Sequence, residues 1–262
     1  MSNELEAILR LRWDAIHRSG RLLSLGVILC LALVALGVCL VYVINLRTER
    51  RAEALLSDAR ALELGKSTDA DVQGILARYG ESEGHASGFC DPLHETSRMV
   101  DISDSYLNLM GGKDRALRPF GNRFWHVSVF FVTNRGYLCA LLYRLRAALP
   151  DGRREVAVDV SYVESSSHLA YAGEPYAISN YIFKNDLWTR ITITPEASEE
   201  QREHAFDFDL SCFTGHAGCR AGCEIVPAAW IDYQKNAYLN GMAIGPEEFL
   251  GDHKCKKAAE SQ

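Results

Sequence analysis

Three cysteines and one histidine lie within twelve residues of each other, at Cys212, His216, Cys219 and Cys223. Thiolates and imidazoles are the ligands of tetrahedral zinc sites, so these side chains could bind zinc. Their spacing, C-x3-H-x2-C-x3-C, lacks the paired C-x2-C knuckles that make zinc sites recognisable. A disulfide between Cys212 and Cys219, closing the Gly-rich turn between two helices, accounts for the same residues more simply. We predict this disulfide and no metal or other cofactor, and keep zinc binding as the alternative.

The number of cysteines after residue 46 is informative about the cellular compartment of this part of the chain. Six cysteines follow residue 46: Cys90, Cys139, Cys212, Cys219, Cys223 and Cys255. An even number is compatible with disulfides in an oxidising compartment, whereas in the cytosol the same residues would be buried thiols. Cys223 could pair with Cys90 or Cys139, and the sequence does not decide between these partners.

A second group of reactive side chains, His85, Cys90, Asp91 and His94, lies in the stretch 81–122, which has little periodicity. A cysteine nucleophile needs a base that lowers the pKa of its thiol, and a nearby histidine is the minimum for this. Catalytic partners normally converge from distant segments, so closeness in sequence is not a signature of catalysis. We name Cys90 and His94 as the catalytic candidates because they are a thiol and a nearby histidine.

Residues 22–46 contain no Lys, Arg, Asp or Glu and are rich in Leu, Val, Ala and Ile. At about 1.5 Å per residue, a helix over this stretch covers the roughly 30 Å hydrocarbon core of a bilayer. A signal peptide has a shorter apolar region, and the small-x-small motif Ala52-Glu53-Ala54 lies behind charged residues. We therefore predict an uncleaved transmembrane helix that anchors the protein to the membrane.

The orientation of this helix rests on indirect arguments. Four arginines precede the span and four follow it closely, so the positive-inside rule gives no direction. The preceding tail is short and easily kept inside, while long domains translocate largely regardless of their charge. The cysteines favour the same orientation. We predict a cytoplasmic N-terminus and an extracytoplasmic C-terminal domain.

The predicted segments are a cytoplasmic tail (1–21), the transmembrane helix (22–46), a juxtamembrane stalk helix (47–63), an α+β extracytoplasmic domain (64–250) and a flexible tail (251–262). Four of the 28 basic and three of the 34 acidic residues precede the span, which leaves 24 against 31 after it, a net charge of −7. Nucleic-acid phosphates require a basic surface, so this balance argues against nucleic acid as a partner.

Apolar residues at helical spacing predict the helices. The stalk carries the stripe Ala52, Leu55, Leu56, Ala59 and Leu62. We expect this stripe to pack against its own domain, and homodimer pairing through the stalk is the alternative. A Thr68-x-x-Asp71 cap opens the next helix and Gly80 closes it. Further helices are predicted from Pro195 onward, over 219–226 and over 228–239.

Alternating apolar residues predict four strands, over 125–132, 137–146, 156–162 and 187–194. The first two are joined into a hairpin by the turn 133–136. The stretch 81–122 is predicted to be mostly irregular, with one short strand or helix near 98–110 as an alternative, and 164–186 is predicted to be a long connection. The resulting fold class is a single transmembrane helix plus an α+β domain, in which an antiparallel four-stranded sheet packs with N- and C-terminal helices.

The function predicted from these features is a non-enzymatic interaction or assembly module, displayed at the cell envelope, with a protein partner. The alternative is a membrane-tethered hydrolase or thiol enzyme that uses the 81–122 loop. A deep pocket in which His85, Cys90 or His94 converges on a distant histidine would favour the enzyme. The distant histidines are His126, His168 and His204. A flat apolar patch would favour binding, around Tyr171, Tyr176 and Tyr181.

Overall fold

The computed structural model describes residues 2–91, 93–103, 124–149, 154–164, 175–215 and 218–239. The chain divides into two compact units, Met1–Ile44 and Asn45–Gln262. The described part of the first unit is helical, and the second unit carries a sheet and helices.

Helix α1 spans Ser2–Arg60. Within the first unit it exposes a series of large apolar side chains: Val27, Ile28, Leu29, Leu31, Leu33, Val34, Leu36, Val38, Leu40, Tyr42 and Val43. In the described part of the chain it is the one helix that is long and apolar enough to cross a membrane. The predicted span at 22–46 thus falls within a helix that could cross a membrane, and the direction of crossing stays a prediction.

The sheet of the second unit has six strands. They are β1 (Glu95–Ser103), β2 (Trp125–Asn134), β3 (Tyr137–Ala148), β4 (Glu155–Val163), β5 (Tyr176–Phe183) and β6 (Asp186–Ile193). Their order in the sheet is β1-β2-β3-β4-β6-β5, and all neighbours are antiparallel except β4 and β6, which are parallel. The α+β class is confirmed and all four predicted strands form. The prediction of a four-stranded antiparallel sheet is wrong, because the sheet is mixed and has six strands.

The two strands outside the four predicted ones, β1 and β5, lie at the edges of the sheet, and β1 overlaps the region near 98–110 where a short strand or helix was the alternative. β1 fully buries only Val100 and Ile102, so its apolar alternation is too short to stand out. β5 lies outside β6, and the chain then returns through β6 between β5 and β4. This return makes β6 parallel to β4, a relation between strands that periodicity along the chain does not encode.

Two connections are two-residue hairpin turns whose central residues have positive φ. They are Arg135 (φ 52°) with Gly136 (φ 85°) between β2 and β3, and Lys184 (φ 52°) with Asn185 (φ 74°) between β5 and β6. Positive φ at both positions matches the right-handed twist of the flanking strands. The second turn was missed because it contains no glycine, although asparagine tolerates the left-handed region.

Helices cover one face of the sheet. They are the end of α1, α2 (Asp69–Tyr79), α3 (Glu199–Ala205), α4 (Ser211–Thr214), a 3₁₀ turn (Gly222–Glu224) and α5 (Pro227–Leu239). Their buried side chains form one apolar cluster with alternate residues of the strands. Ring contacts between Trp125 and Phe213 at 5.4 Å, and between Tyr143 and Phe206 at 5.3 Å, join the two layers.

The stripe of the predicted stalk lies in this core. Ala52, Leu55, Leu56 and Ala59 are buried in the cluster, and α1 ends at Arg60. Three polar contacts hold the segment to the domain: Arg51 to the Tyr79 carbonyl (2.6 Å), Tyr79 Oη to Asp58 (2.8 Å) and Thr214 Oγ1 to Glu49 (2.9 Å). Homodimer pairing through these apolar side chains would require them to leave the core of their own chain.

The helix caps follow local sequence chemistry. The Asp71 carboxylate accepts hydrogen bonds from the backbone N–H and the hydroxyl of Thr68, at 2.7 and 2.8 Å, so the predicted cap of α2 is confirmed. The predicted helix start at Pro195 is wrong. Ser198 and Gln201 form a reciprocal capping box, with bonds of 3.0 and 3.1 Å, that starts α3 at Glu199 instead.

Replacing Leu55 by alanine tests whether α1 belongs to the core. Leu55 is 0% exposed, so we expect the Leu55→Ala variant to lose about 2–5 kcal/mol of unfolding free energy, measured by urea unfolding of the full chain in mild detergent. Leu40→Ala on the same helix is the matched control, because Leu40 is 59% exposed within the first unit. Equal loss in both variants, or none in either, would contradict the docking of α1.

Candidate functional site

The face of the sheet opposite the helices carries charged, polar and aromatic side chains, and we call it the polar face. Successive side chains of a strand point to opposite faces, so its members alternate with core residues such as Val127 and Val129. Its members are Asp101, His126, Ser128, Phe130, Leu142, Arg144, Arg146, Asp159, Ser161, Ser179, Tyr181, Phe183, Trp188 and Arg190.

One register of the sheet aligns a polar side chain from every strand, and we call this set the central row. From β1 to β5 across the sheet it consists of Asp101, Ser128, Arg144, Asp159, Arg190 and Ser179. Arg144 Nε donates to Asp159 Oδ1 at 2.9 Å, and a terminal nitrogen of the same guanidinium donates to Oδ2 at 3.3 Å. Ser128 donates to Asp101 at 2.6 Å. The row is thus held by direct cross-strand hydrogen bonds.

The two arginines beside Asp159 differ in their electrostatic balance. Burial lowers the pKa of Arg144, but the hydrogen bond and the charge of Asp159 outweigh burial and raise it overall. Arg190, on the other side of Asp159, is exposed and donates to the Tyr181 hydroxyl at 3.1 Å. Among the described residues, no carboxylate lies within ion-pair distance of Arg190. The part of the central row around Asp159 therefore has two guanidinium groups and one carboxylate.

Aromatic rings and guanidinium groups are interleaved next to the central row. The Arg146 guanidinium lies 4.8 Å from the Trp188 ring centroid, and that of Arg190 lies 5.5 Å from the Tyr181 centroid. Trp188 and Tyr181 stack on each other with centroids 6.1 Å apart and an interplanar angle of 16°. These cation–π and ring contacts fix the orientation of both arginines.

Two cavities open over the central row, with volumes of about 560 and about 250 Å³. Both are lined by Arg144, Asp159 and Arg190. The larger one extends towards Tyr181 and Phe183, and the smaller one extends towards β2 and the segment 85–89. The central row therefore lies at the floor of an accessible site, which we call the cleft.

The segment 85–89 forms one wall of the cleft and is fastened to the sheet. Cys90 forms a disulfide with Cys139 on β3. The backbone N–H of Ala86 donates to Ser97 Oγ at 2.9 Å, and that of Cys90 donates to Glu95 at 3.3 Å. These contacts hold a segment without regular structure against the polar face.

A cavity of about 890 Å³ lies on the helical side and includes Arg202 and His204 in its lining. His204 Nδ1 lies 2.8 Å from Asp232, and the Tyr176 hydroxyl donates to the same carboxylate at 3.3 Å. Burial and the Asp232 charge raise the pKa of Tyr176. A carboxylate that orients a histidine is part of a catalytic triad, but in the described ranges no Ser, Thr or Cys side chain hydrogen-bonds to His204. The contacts instead join α3, α5 and β5.

The two catalytic candidates, Cys90 and His94, do not form a thiol–histidine pair. The Cys90 sulfur is bonded to Cys139, so it is not a free thiol. His94 lies on an exposed turn with its Nδ1 3.3 Å from Asp91. His85 lines the smaller cavity of the cleft. Part of the 81–122 loop is β1, and residues 104–123 lie outside the described residues.

The cysteine and histidine cluster is also oxidised. Cys212 and Cys219 form a disulfide with Cα atoms 4.8 Å apart, and Cys223 is disulfide-bonded as well. Because Cys90 and Cys139 pair with each other, neither is the partner of Cys223. Zinc binding would need these sulfurs as thiolates. His216 and Cys255 lie outside the described residues, and within the described residues no three metal-binding side chains form a group.

The proposed patch of tyrosines is not one surface. Tyr176 points to the helical side, where it contacts Asp232, whereas Tyr181 lies on the polar face. Tyr171 and His168 lie outside the described residues. Sequence reasoning missed the central row itself. Its signal is a charged residue in the middle of an otherwise apolar strand, which occurs at Arg144, Asp159 and Arg190.

Comparison with models of protein families, with curated proteins and with solved structures found no match.

His126 makes the stability of the domain dependent on pH. Burial lowers its pKa from 6.5 to about 4; the charges of Arg146 and Arg144 also lower it, whereas those of Asp101 and Asp159 oppose the shift. The unfolded histidine binds a proton near pH 6.5 and the folded one only near pH 4. Stability is therefore full above pH 6.5 and falls as the pH is lowered towards 4, by on the order of 3 kcal/mol.

Urea unfolding of the wild type and of His126→Leu between pH 7 and pH 4 checks this expectation. We expect a flatter pH dependence in the variant. His94→Gln, which replaces an exposed histidine, serves as the control and should keep the wild-type profile. An unchanged slope in His126→Leu would contradict the assignment.

The two disulfides with both cysteines among the described residues close loops of different length, so removing each should lower the unfolding free energy by a different amount. The pair Cys90 and Cys139 is separated by 49 residues, and the pair Cys212 and Cys219 by 7. On chain-entropy grounds we expect paired Cys→Ser variants to lose about 4 kcal/mol for the longer loop and about 2 kcal/mol for the shorter one. Urea unfolding under non-reducing conditions measures both losses, and the reverse order would contradict this expectation.

Proposed function

We propose that this chain is a single-pass membrane-anchored binding module of the cell envelope. The N-terminus is cytoplasmic, the second unit lies outside, and the polar face binds another protein without catalysing a reaction.

The observation that carries this proposal is the combination of an apolar helix with a disulfide-bonded unit. Disulfides persist in oxidising compartments and are rare in the cytosol. Both Cys90–Cys139 and Cys212–Cys219 lie in the second unit, whereas the free cysteines among the described residues, Cys30 and Cys39, lie in the apolar helix. A helix able to cross a membrane, followed by disulfides, is the pattern of an anchored extracytoplasmic protein.

The composition of the polar face favours binding over catalysis. Arg, Trp and Tyr dominate the energetic centres of protein interfaces, and here they surround the central row. The histidines with a described side-chain hydrogen bond, His94 and His204, both contact aspartates and not a nucleophile. The burial of Leu55 and Leu56 also favours the polar face over the stalk as the interaction surface.

Cysteine labelling of intact cells or spheroplasts tests the location of the second unit. We expect an impermeant maleimide to label Cys90, Cys139, Cys212 and Cys219 only after treatment with an impermeant reductant, because their thiols face an oxidising space as disulfides. Peptide mass mapping identifies the labelled residues.

Two added cysteines provide matched controls. Ser2→Cys should be labelled only in opened cells, and Glu200→Cys, at an exposed position, should be labelled in intact ones. Labelling of the four native cysteines only in opened cells and without reduction would place the second unit in the cytosol and overturn the proposal.

A further inference from the structure

We infer that the cleft on the polar face binds an acidic peptide segment of a partner protein, with Arg190 accepting a Glu or Asp carboxylate. This inference rests on the proposed binding function and specifies the chemistry of its partner.

Among the described residues that line the cleft, the two guanidinium groups outnumber the one carboxylate, which favours an anionic ligand. The guanidinium groups of Arg144 and Arg190 flank a single carboxylate, that of Asp159, which is 8% exposed. Arg144 is bonded to both oxygens of this carboxylate, so its charge is already matched. Arg190 is exposed, and its described side-chain hydrogen bond goes to the neutral Tyr181 hydroxyl. A carboxylate is the group that a guanidinium binds with two parallel hydrogen bonds.

The Arg190 side chain is held in place before any ligand binds. Its guanidinium lies 5.5 Å from the Tyr181 ring centroid and 3.1 Å from the hydroxyl of the same residue. Tyr181 in turn stacks on Trp188. Since a side chain fixed by its neighbours loses less entropy on binding, this arrangement favours capture of an anion.

An exposed aromatic ring lines the same cavity as Arg190, and this combination favours a peptide over a simple anion. Phe183 lines the same cavity and is 52% exposed. Glu and Asp side chains in a peptide are accompanied by neighbouring side chains, and an aliphatic or aromatic one can cover Phe183 while the carboxylate reaches Arg190. Recognition of acidic motifs by arginines and aromatic anchors is a recurrent mode of protein binding.

The same geometry disfavours sugars and nucleic acids. Trp188 and Tyr181 already have each other and a guanidinium against their rings, so little ring face is left for a sugar to stack on. A polyphosphate chain would meet only one unmatched guanidinium here, in a chain of net charge −6.

Peptide display against the full chain in phosphatidylcholine nanodiscs tests this inference, because uncharged lipids do not compete for Arg190. We expect selected random peptides to carry Glu or Asp next to an aliphatic or aromatic residue. In fluorescence anisotropy, Arg190→Gln should weaken the best peptide at least about tenfold, as should Glu→Gln in the peptide. Because Arg190→Gln in the protein and Glu→Gln in the peptide remove the same contact, the two together should weaken binding little more than either change alone.

Two further variants keep the result interpretable. Arg190→Lys keeps the charge and should retain more affinity than Arg190→Gln. Lys66→Gln, which removes an exposed cation paired with Glu63 on the helical side, should leave the affinity unchanged, and thermal unfolding checks that every variant is folded. Selected peptides without acidic residues, unchanged affinity in folded Arg190→Gln, or binding of an oligouronate but of no peptide would each overturn the inference. Cysteine labelling is independent of these outcomes, so failure of the inference and failure of the proposed location are distinguishable.

Discussion

Burial of the sheet's apolar face is the constraint on which the rest of the second unit depends. Every second residue of β2 and β4 points into one cluster, and such a face is stable only when a second layer covers it. The covering helices come from chain segments before and after the strands, since Leu55 of α1 and Trp230 of α5 belong to the same cluster. The segment that follows the apolar run is thus a structural part of the domain.

The same pleat determines the chemistry of the polar face. Residues that alternate with the core are carried to the opposite side at fixed spacing, so charges from different strands meet in one row. Removing the Asp159 carboxylate from water is costly, and its two hydrogen bonds with the partly exposed Arg144 offset part of that cost. Arg190 stays near water without a carboxylate partner among the described residues, and this difference between the two arginines is the basis of the proposed anion binding.

Cavity size alone does not identify the functional surface. The cavity of about 890 Å³ is the larger, yet the histidine in its lining, His204, is engaged with Asp232 in a contact that joins three elements. The cleft is smaller, but it combines an unmatched guanidinium, an exposed ring and a wall fastened by the Cys90–Cys139 disulfide. Charge balance therefore discriminates between the two cavities better than volume does.

Local patterns in the sequence determined the apolar helix, the cap at Thr68, the hairpin at Gly136 and four of the six strands, because each depends on residues close together in the chain. Tertiary structure decided the rest. The weakly alternating edge strands form because β2 and β6 offer them partners, and β6 lies parallel to β4 because β5 takes the outer position. The cleft likewise exists only through register, since Arg144, Asp159 and Arg190 become neighbours when three strands align, and no spacing along the chain encodes that alignment.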